Sequence, residues 1–260
     1  MLTPEPRRSR FELHWRMLGG DLRVQLLFWA SCILVGVIYY QYPEIRDQLG
    51  VLAAFGLWMG VALIALLMHE TGHILAAHRF GIGVRIVLSG LGGRLFGLDE
   101  LRLWKKLLVV LAGPMMNVLL FGAAWSITFL PLPHDWRVTF APALWLLMWV
   151  NAFWVLLNLL PLWPLDGGRI AVEIGGSLFG RRGQILALLL SLAVTVLLML
   201  FVIAWMRLTL INPFDVHYTI YFVYFCILSL YCYAFWLSTF RALWGNAEPP
   251  ERTSESDRAA

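Results

Sequence analysis

Charge is scarce in this chain and unevenly spread. Asp, Glu, Lys and Arg make up 14% of its 260 residues, against about 25% in ordinary soluble domains. Three stretches, 51–68, 138–163 and 183–206, contain none of them. A soluble core of this size cannot hide so many uncharged runs, each near or above the roughly 18 residues that mark a spanning helix. Cysteine is almost missing as well. Cys32, Cys226 and Cys232 all fall inside apolar runs, which excludes a disulfide framework and metal-ligand spacing and leaves them as small buried hydrophobes. A retained first helix rather than a cleavable signal is expected: the first 23 residues are too long and too mixed in charge, and the apolar run after them ends in Tyr39-Tyr40-Gln41-Tyr42 without a small-residue site. Nor is there a basic stripe on a soluble face. The formal charge of +4 comes from bases lying between apolar runs, which excludes nucleic acid as a partner.

What is present is apolar: 60% hydrophobic residues and a mean hydropathy of +0.73. The chain reads as an all-α polytopic membrane protein embedded in a lipid bilayer. Six spans are predicted, at 24–40, 51–74, 107–130, 139–163, 184–206 and 217–240. Residues 1–23 form a basic cytoplasmic segment, 24–240 the membrane domain with a core near 51–175, and 241–260 a polar tail expected to be disordered. Alternate connections hold 17 and 3 of the 20 basic residues. The positive-inside bias therefore places both termini, and connections 79–106 and 164–183, in the cytoplasm.

Segment 81–97 differs from its surroundings. Val84, Ile86 and Leu88 alternate with Arg85, Val87 and Ser89, and Gly90, Gly92 and Gly93 follow. The pattern predicts a short Gly-rich β-hairpin after the second helix, at the membrane edge, where neighbouring helices satisfy its backbone.

Ionisable groups inside spans are costly and point to function. The second span ends in His69-Glu70-Thr71-Gly72-His73. Residues four apart share a helix face, so both imidazoles can bind one metal with Glu70 beside them. Neutral imidazole and carboxylate suit Zn²⁺, one per chain. Such an ion lowers the pKa of a bound water toward roughly 7, and Glu70 is placed to act as general base. For the third ligand, a metzincin pattern needs histidine at position 79, which is Arg79, with His78 one place short, and Glu100 lies in a charged loop beside Asp99. Asp166 is the better candidate: Pro161 and Pro164 break the fourth span just before it, and Gly167-Gly168 allow a close backbone approach. The second and fourth spans both run inward, so their ends reach the same side at similar depth.

These segments resemble the site-2 protease family of intramembrane zinc metalloproteases. The motifs that carry the resemblance are His69-Glu-x-x-His73, Ala112-Gly-Pro-Met-Met-Asn117 and Asn158-x-x-Pro-x-x-Pro-x-Asp166-Gly-Gly. The resemblance covers about 60–170, and the Gly-rich segment sits where the family has a membrane hairpin. It implies His69, His73 and Asp166 as zinc ligands, Glu70 as catalytic base, and Asn158 and Asn117 as polar groups near the substrate. It also implies peptide-bond hydrolysis within or beside a transmembrane helix of another membrane protein, by a compact bacterial-type member of the inner membrane without PDZ or CBS domains. Asn151, seven residues before Asn158, shares its face and is a further candidate. Gly113-Pro114 reads as a kink or close packing point, Arg169 and Glu173 as an ion pair, and Met115-Met116 as core. Two rival readings are a non-catalytic membrane adaptor with a structural metal and a divalent-metal transporter. Retention of Glu70 disfavours the first, and nearly featureless fifth and sixth spans the second.

Overall fold

The computed structural model describes residues 12–17, 19–26, 28–30, 32–33, 50–89, 92–208 and 216–245. Helix α1 (Val51–Arg79) is apolar on every side, yet its buried positions recur in steps of three and four: Ala54, Trp58, Val61, Ala65, His69, Gly72 or His73, and Ala77. One stripe thus faces protein while Leu52, Ile64 and Leu75 point outward, as expected of a helix whose solvent is lipid. Helix α2 (Leu103–Ile127) lies against it, burying Val109, Val110, Gly113, Pro114 and Asn117. Met115 faces outward, so it is lipid-facing surface rather than the core position expected. A β-carbon on Gly72 would collide with the Ala112 carbonyl. Glycine is what lets α1 and α2 approach this closely.

Helix α3 (His134–Leu159) packs on both and ends in an extended Leu160. Helix α4 (Asp166–Leu208) bends at Gly180, whose φ of 57° and ψ of −139° are not helical. The two limbs meet where Gly175 approaches the Gly183 carbonyl too closely for any side chain. The connection expected at 164–183 is thus largely helical, and the fifth predicted span is the second limb. Helix α5 (Val216–Gly245) completes the described chain. Four helices, Val51–Arg79, Leu103–Ile127, His134–Leu159 and Asp166–Ala204, are long and apolar enough to cross a membrane; the chain is a multi-pass membrane protein. Most of the predicted first span lies outside the described residues.

The expected hairpin is present as β3 (Arg85–Ser89) and β4 (Gly92–Phe96), paired antiparallel. It is not alone, because the N-terminal segment adds β1 (Glu12–Met17) and β2 (Gly20–Gln25). The order is β1-β2-β3-β4, with β2 parallel to β3 from Asp21↔Arg85 to Val24↔Leu88. This corrects the expectation of a helical bundle with one hairpin, and it puts the start of the first apolar run after the strand that ends at Gln25. The cause is legible afterwards. Leu22 and Val24 alternate with Asp21, Arg23 and Gln25, and Gly19, with φ of 78°, makes the turn. Leu22, Val24, Ile86, Leu88 and Leu95 form one core with Leu66, Ile74 and Ala77 of α1 and Val109 and Val110 of α2. The sheet is therefore clamped onto the helix ends that carry the chemistry.

Candidate metal centre

His69 and His73 lie one turn apart on the inner stripe of α1, both buried. Their rings meet edge to face at 4.8 Å between centroids. Asp166 arrives from the other side because the chain between α3 and α4 folds back sharply. Leu162 and Leu165 donate backbone hydrogen bonds to Leu160 and Leu162, both at 2.7 Å. Gly167 and Gly168 pack against the Leu159, Leu160 and Leu162 backbone with no room for a β-carbon. The turn is tied down from outside: Trp163 donates from its backbone N–H to Ser191 Oγ (2.7 Å) and from its indole to Thr239 Oγ1 (2.9 Å).

The three side chains converge. His69 Nε2 and His73 Nε2 are 3.1 Å apart, and Asp166 Oδ2 lies 3.1 Å from the first and 3.6 Å from the second. The outer ring nitrogens fix what these atoms are. His69 Nδ1 donates to Asn117 Oδ1 at 2.6 Å and His73 Nδ1 donates to the Val109 carbonyl at 2.8 Å. With those protons placed on Nδ1, neutral rings aim two Nε2 lone pairs at one point. Asp166 Oδ2 is buried there with no hydrogen-bond partner among the described residues. Three electron-rich atoms so close repel one another unless a cation lies between them. Tetrahedral zinc with bonds of about 2.05 Å would hold its ligand atoms about 3.3 Å apart. The donor set and its spacing fit.

The surroundings are fitted to this point. A β-carbon on Gly113 of α2 would strike both imidazoles, and one on Gly93 of β4 would strike the Glu70 carboxylate. The hairpin thus lies directly over Glu70, which is itself buried. Asn117 is fully enclosed. Beyond its bond with His69, its amide donates to the Ala65 carbonyl (3.0 Å) and to Asn151 Oδ1 (2.7 Å), and Asn151 donates to the Leu147 carbonyl (2.7 Å). Both Asn117 hydrogens are therefore committed, which places Asn117 and Asn151 behind the His69 ring rather than in front of a reacting group. Asn158 donates to the Trp154 carbonyl at 3.0 Å.

His78 and Glu100 are exposed. Glu173 pairs with Lys106 at 3.0 Å, while Arg169, its expected partner, donates to the Leu95 carbonyl of β4. The (i, i+4) spacing allowed the first pairing, but the sheet edge and the start of α2 offer nearer partners. Nothing in local sequence could have revealed Leu95, Lys106 or Val109, because each acts through a contact made only on folding. Arg94, also on β4, stacks its guanidinium on Phe235 at 4.8 Å from the ring centre. Burial pushes its pKa below the ordinary arginine value, although an arginine remains charged.

Comparison with known proteins points the same way. Residues 133–202 match the profile of peptidase family M50. Stage IV sporulation protein FB of Bacillus subtilis is 31% identical over 138 residues, covering 49% of this chain and 45% of that one. A zinc metalloprotease of Methanocaldococcus jannaschii is 28% identical over 120 residues, 45% of this chain and 34% of that one. The matches thus span under half the length of these curated relatives. The solved site-2 protease from Methanocaldococcus jannaschii superposes with a TM-score of 0.55 at 18% identity, over 84% of this chain and 94% of that one, which shows a shared fold. Residues 133–202 are thus similar to peptidase family M50, and the chain shares the fold of a solved site-2 protease.

Proposed function

We propose that this chain is an intramembrane zinc endopeptidase, hydrolysing peptide bonds within or next to transmembrane segments of other membrane proteins in regulated intramembrane proteolysis. The observation that carries the reading is the meeting of His69, His73 and Asp166 at one buried point, with Glu70 adjacent in sequence and covered by β4. A zinc ion held by these three would polarise the scissile carbonyl and make a water acidic enough to lose its proton near neutral pH. Glu70 takes that proton and later delivers it to the leaving amine nitrogen. A ligand-only structural site would need no such base. Asn117, backed by Asn151, holds the His69 ring with Nε2 forward, a positioning role. Asn158, close to the turn that delivers Asp166, offers amide hydrogen bonding to the carbonyl oxygen or to unwound substrate backbone. The outer edge of β4 offers main-chain groups to a substrate drawn out as a strand.

The reading includes six spans, both termini in the cytoplasm of a bacterial cell with the site on that side of the inner membrane, and one zinc per chain. Purified protein in lipid nanodiscs tests it. Wild type should contain about one zinc and cleave a single-span reporter. Glu70→Gln should keep the zinc and lose cleavage by roughly 10²–10⁴-fold, whereas His69→Ala and Asp166→Ala should lose both. Full cleavage by Glu70→Gln overturns the mechanism. Zinc without cleavage in the wild type would mark an adaptor, and ion flux into liposomes a transporter.

A further inference from the structure

A second feature lies beside the metal centre and takes no part in it. A cavity of about 370 Å³ opens between β4, the start of α2, the first limb of α4 and the end of α5; Arg94, Leu95, Asp99, Lys106, Arg169 and Glu173 are among its walls. Lys106 and Glu173 satisfy each other at 3.0 Å, and Asp99 is exposed to solvent. The two arginines are different. The Nε atoms of Arg94 and Arg169 are both buried with no hydrogen-bond partner among the described residues. A guanidinium is a fork of N–H donors suited to a planar oxoanion, and a buried donor left unpaired is costly. Each Nε is shut off from solvent and Arg169 also donates to the Leu95 carbonyl, so a ligand in the cavity would meet the outer N–H groups of the two guanidiniums, which suit an anion.

Position argues which anion. Residues 94–97 of β4 and the turn after it line the cavity, while Gly93, one residue back, lies against Glu70. A polypeptide paired along β4 advances about 3.3 Å per residue, so its side chains reach the cavity one to four residues from the point opposite Glu70. Arg169 also holds the Leu95 carbonyl, an acceptor on the strand that an incoming chain would need. A carboxylate entering the cavity gives Arg169 a stronger, charge-assisted partner and releases that carbonyl.

We propose that the Arg94–Arg169 cavity is a specificity subsite for an acidic side chain of the substrate, within four residues of the scissile bond, whose carboxylate frees the β4 edge for pairing. This deepens the peptidase reading and rests on it.

The test uses full-length protein in nanodiscs and single-span reporters carrying Glu or Gln at each of the four positions on either side of the mapped cleavage site. Two quantities are read: kcat/KM for zinc-loaded wild type, and reporter affinity for Glu70→Gln by fluorescence anisotropy. At one or two positions the Glu reporter should exceed its Gln counterpart about tenfold in both. In Arg94→Gln and Arg169→Lys that ratio should fall toward one, and because it is a ratio, a partly folded variant still reports it. A ratio near one at every position in the wild type overturns the subsite alone, leaving the peptidase intact. An undiminished ratio in both arginine variants overturns it equally. A Glu preference in binding together with undiminished cleavage by Glu70→Gln would keep the subsite and sink the proposed peptidase mechanism. If cleavage of Gln reporters instead rises with phosphatidylglycerol content, and Arg94→Gln abolishes that dependence, the occupant is a lipid phosphate and the proposal is wrong.

Discussion

The two ends of the α1–α2–α3 bundle are made from similar helices and hold themselves together differently. Toward the start of α1, Trp58, Val61 and Ala65 pack on Leu146 and Val150 of α3 with Leu57, Met59 and Leu147 around them. Those side-chain contacts are apolar except at the Trp58 indole, which donates to the Cys32 carbonyl at 3.3 Å. One to three turns on, the same stripe carries His69, Glu70 and His73, and each imidazole is tied to a named partner on α2. Glycine replaces bulk there, with Gly72 and Gly113 admitting backbone and ring where a methyl group would not fit. The first end tolerates change because packing is spread over many contacts. The second does not, because each polar atom withdrawn from water depends on one partner.

Mutation should expose that asymmetry. The largest effect is expected from Gly113→Ala: although alanine favours the helix, its methyl enters the space of the imidazoles, and zinc affinity measured by competition with a chelator should fall about 100-fold. Asn117→Ala, which removes the partner of His69 Nδ1, should weaken zinc about tenfold. Retained wild-type affinity in both would mean that the polar end is as forgiving as the apolar one. At that apolar end, Leu146→Ala should lower stability by roughly 2 kcal/mol in a thermal melt and leave zinc stoichiometry at one. Loss of metal there would show that the two ends are coupled.

The smallest expected effect lies outside the membrane-spanning helices, on the β1–β2 hairpin. Burial alone would raise the Asp21 carboxyl, but hydrogen bonds from Arg16 and His14 outweigh it and hold the pKa below the ordinary value. A depressed folded-state pKa means stability present above the unfolded value near about 3.9 and lost as pH falls through the folded one. The pair with Arg16 is solvent-screened, so Asp21→Asn should cost under about 1 kcal/mol at pH 7. It should also flatten the loss of melting temperature below about pH 4. A variant melting curve that still steepens there would assign the acid loss to other carboxylates.

Much of this was legible in the chain. Uncharged runs marked α1 to α3 and the second limb of α4, because a helix in lipid must be apolar along its length. The His69-Glu70-His73 spacing located the metal face, since a helix repeat puts residues four apart on one side. Alternation and glycine located β3 and β4. By contrast, β1 and β2 were masked by charge: Arg16, Asp21 and Arg23 resemble a cytoplasmic tail until Arg23 is seen buried in a pair with Glu12. The helical character of 166–179 was hidden by Gly167, Gly168, Gly175 and Gly176, which read as loop in isolation; in the fold the first three serve close backbone packing and Gly176 lies against the Gln184 side chain.

Sequence alone determined which groups were available: two imidazoles and a carboxylate on one helix face, a second carboxylate released by prolines, and a membrane setting in which none of them could stand idle. Tertiary structure alone decided how those groups are aimed and what lies beside them. The Nε2 lone pairs converge because Asn117 and Val109, on another helix, accept hydrogen bonds from the Nδ1–H groups. The paired arginines border a cavity because β4 and α4 meet there. Spacing along one element follows from helix geometry, whereas a hydrogen bond between elements depends on the packing of the whole chain.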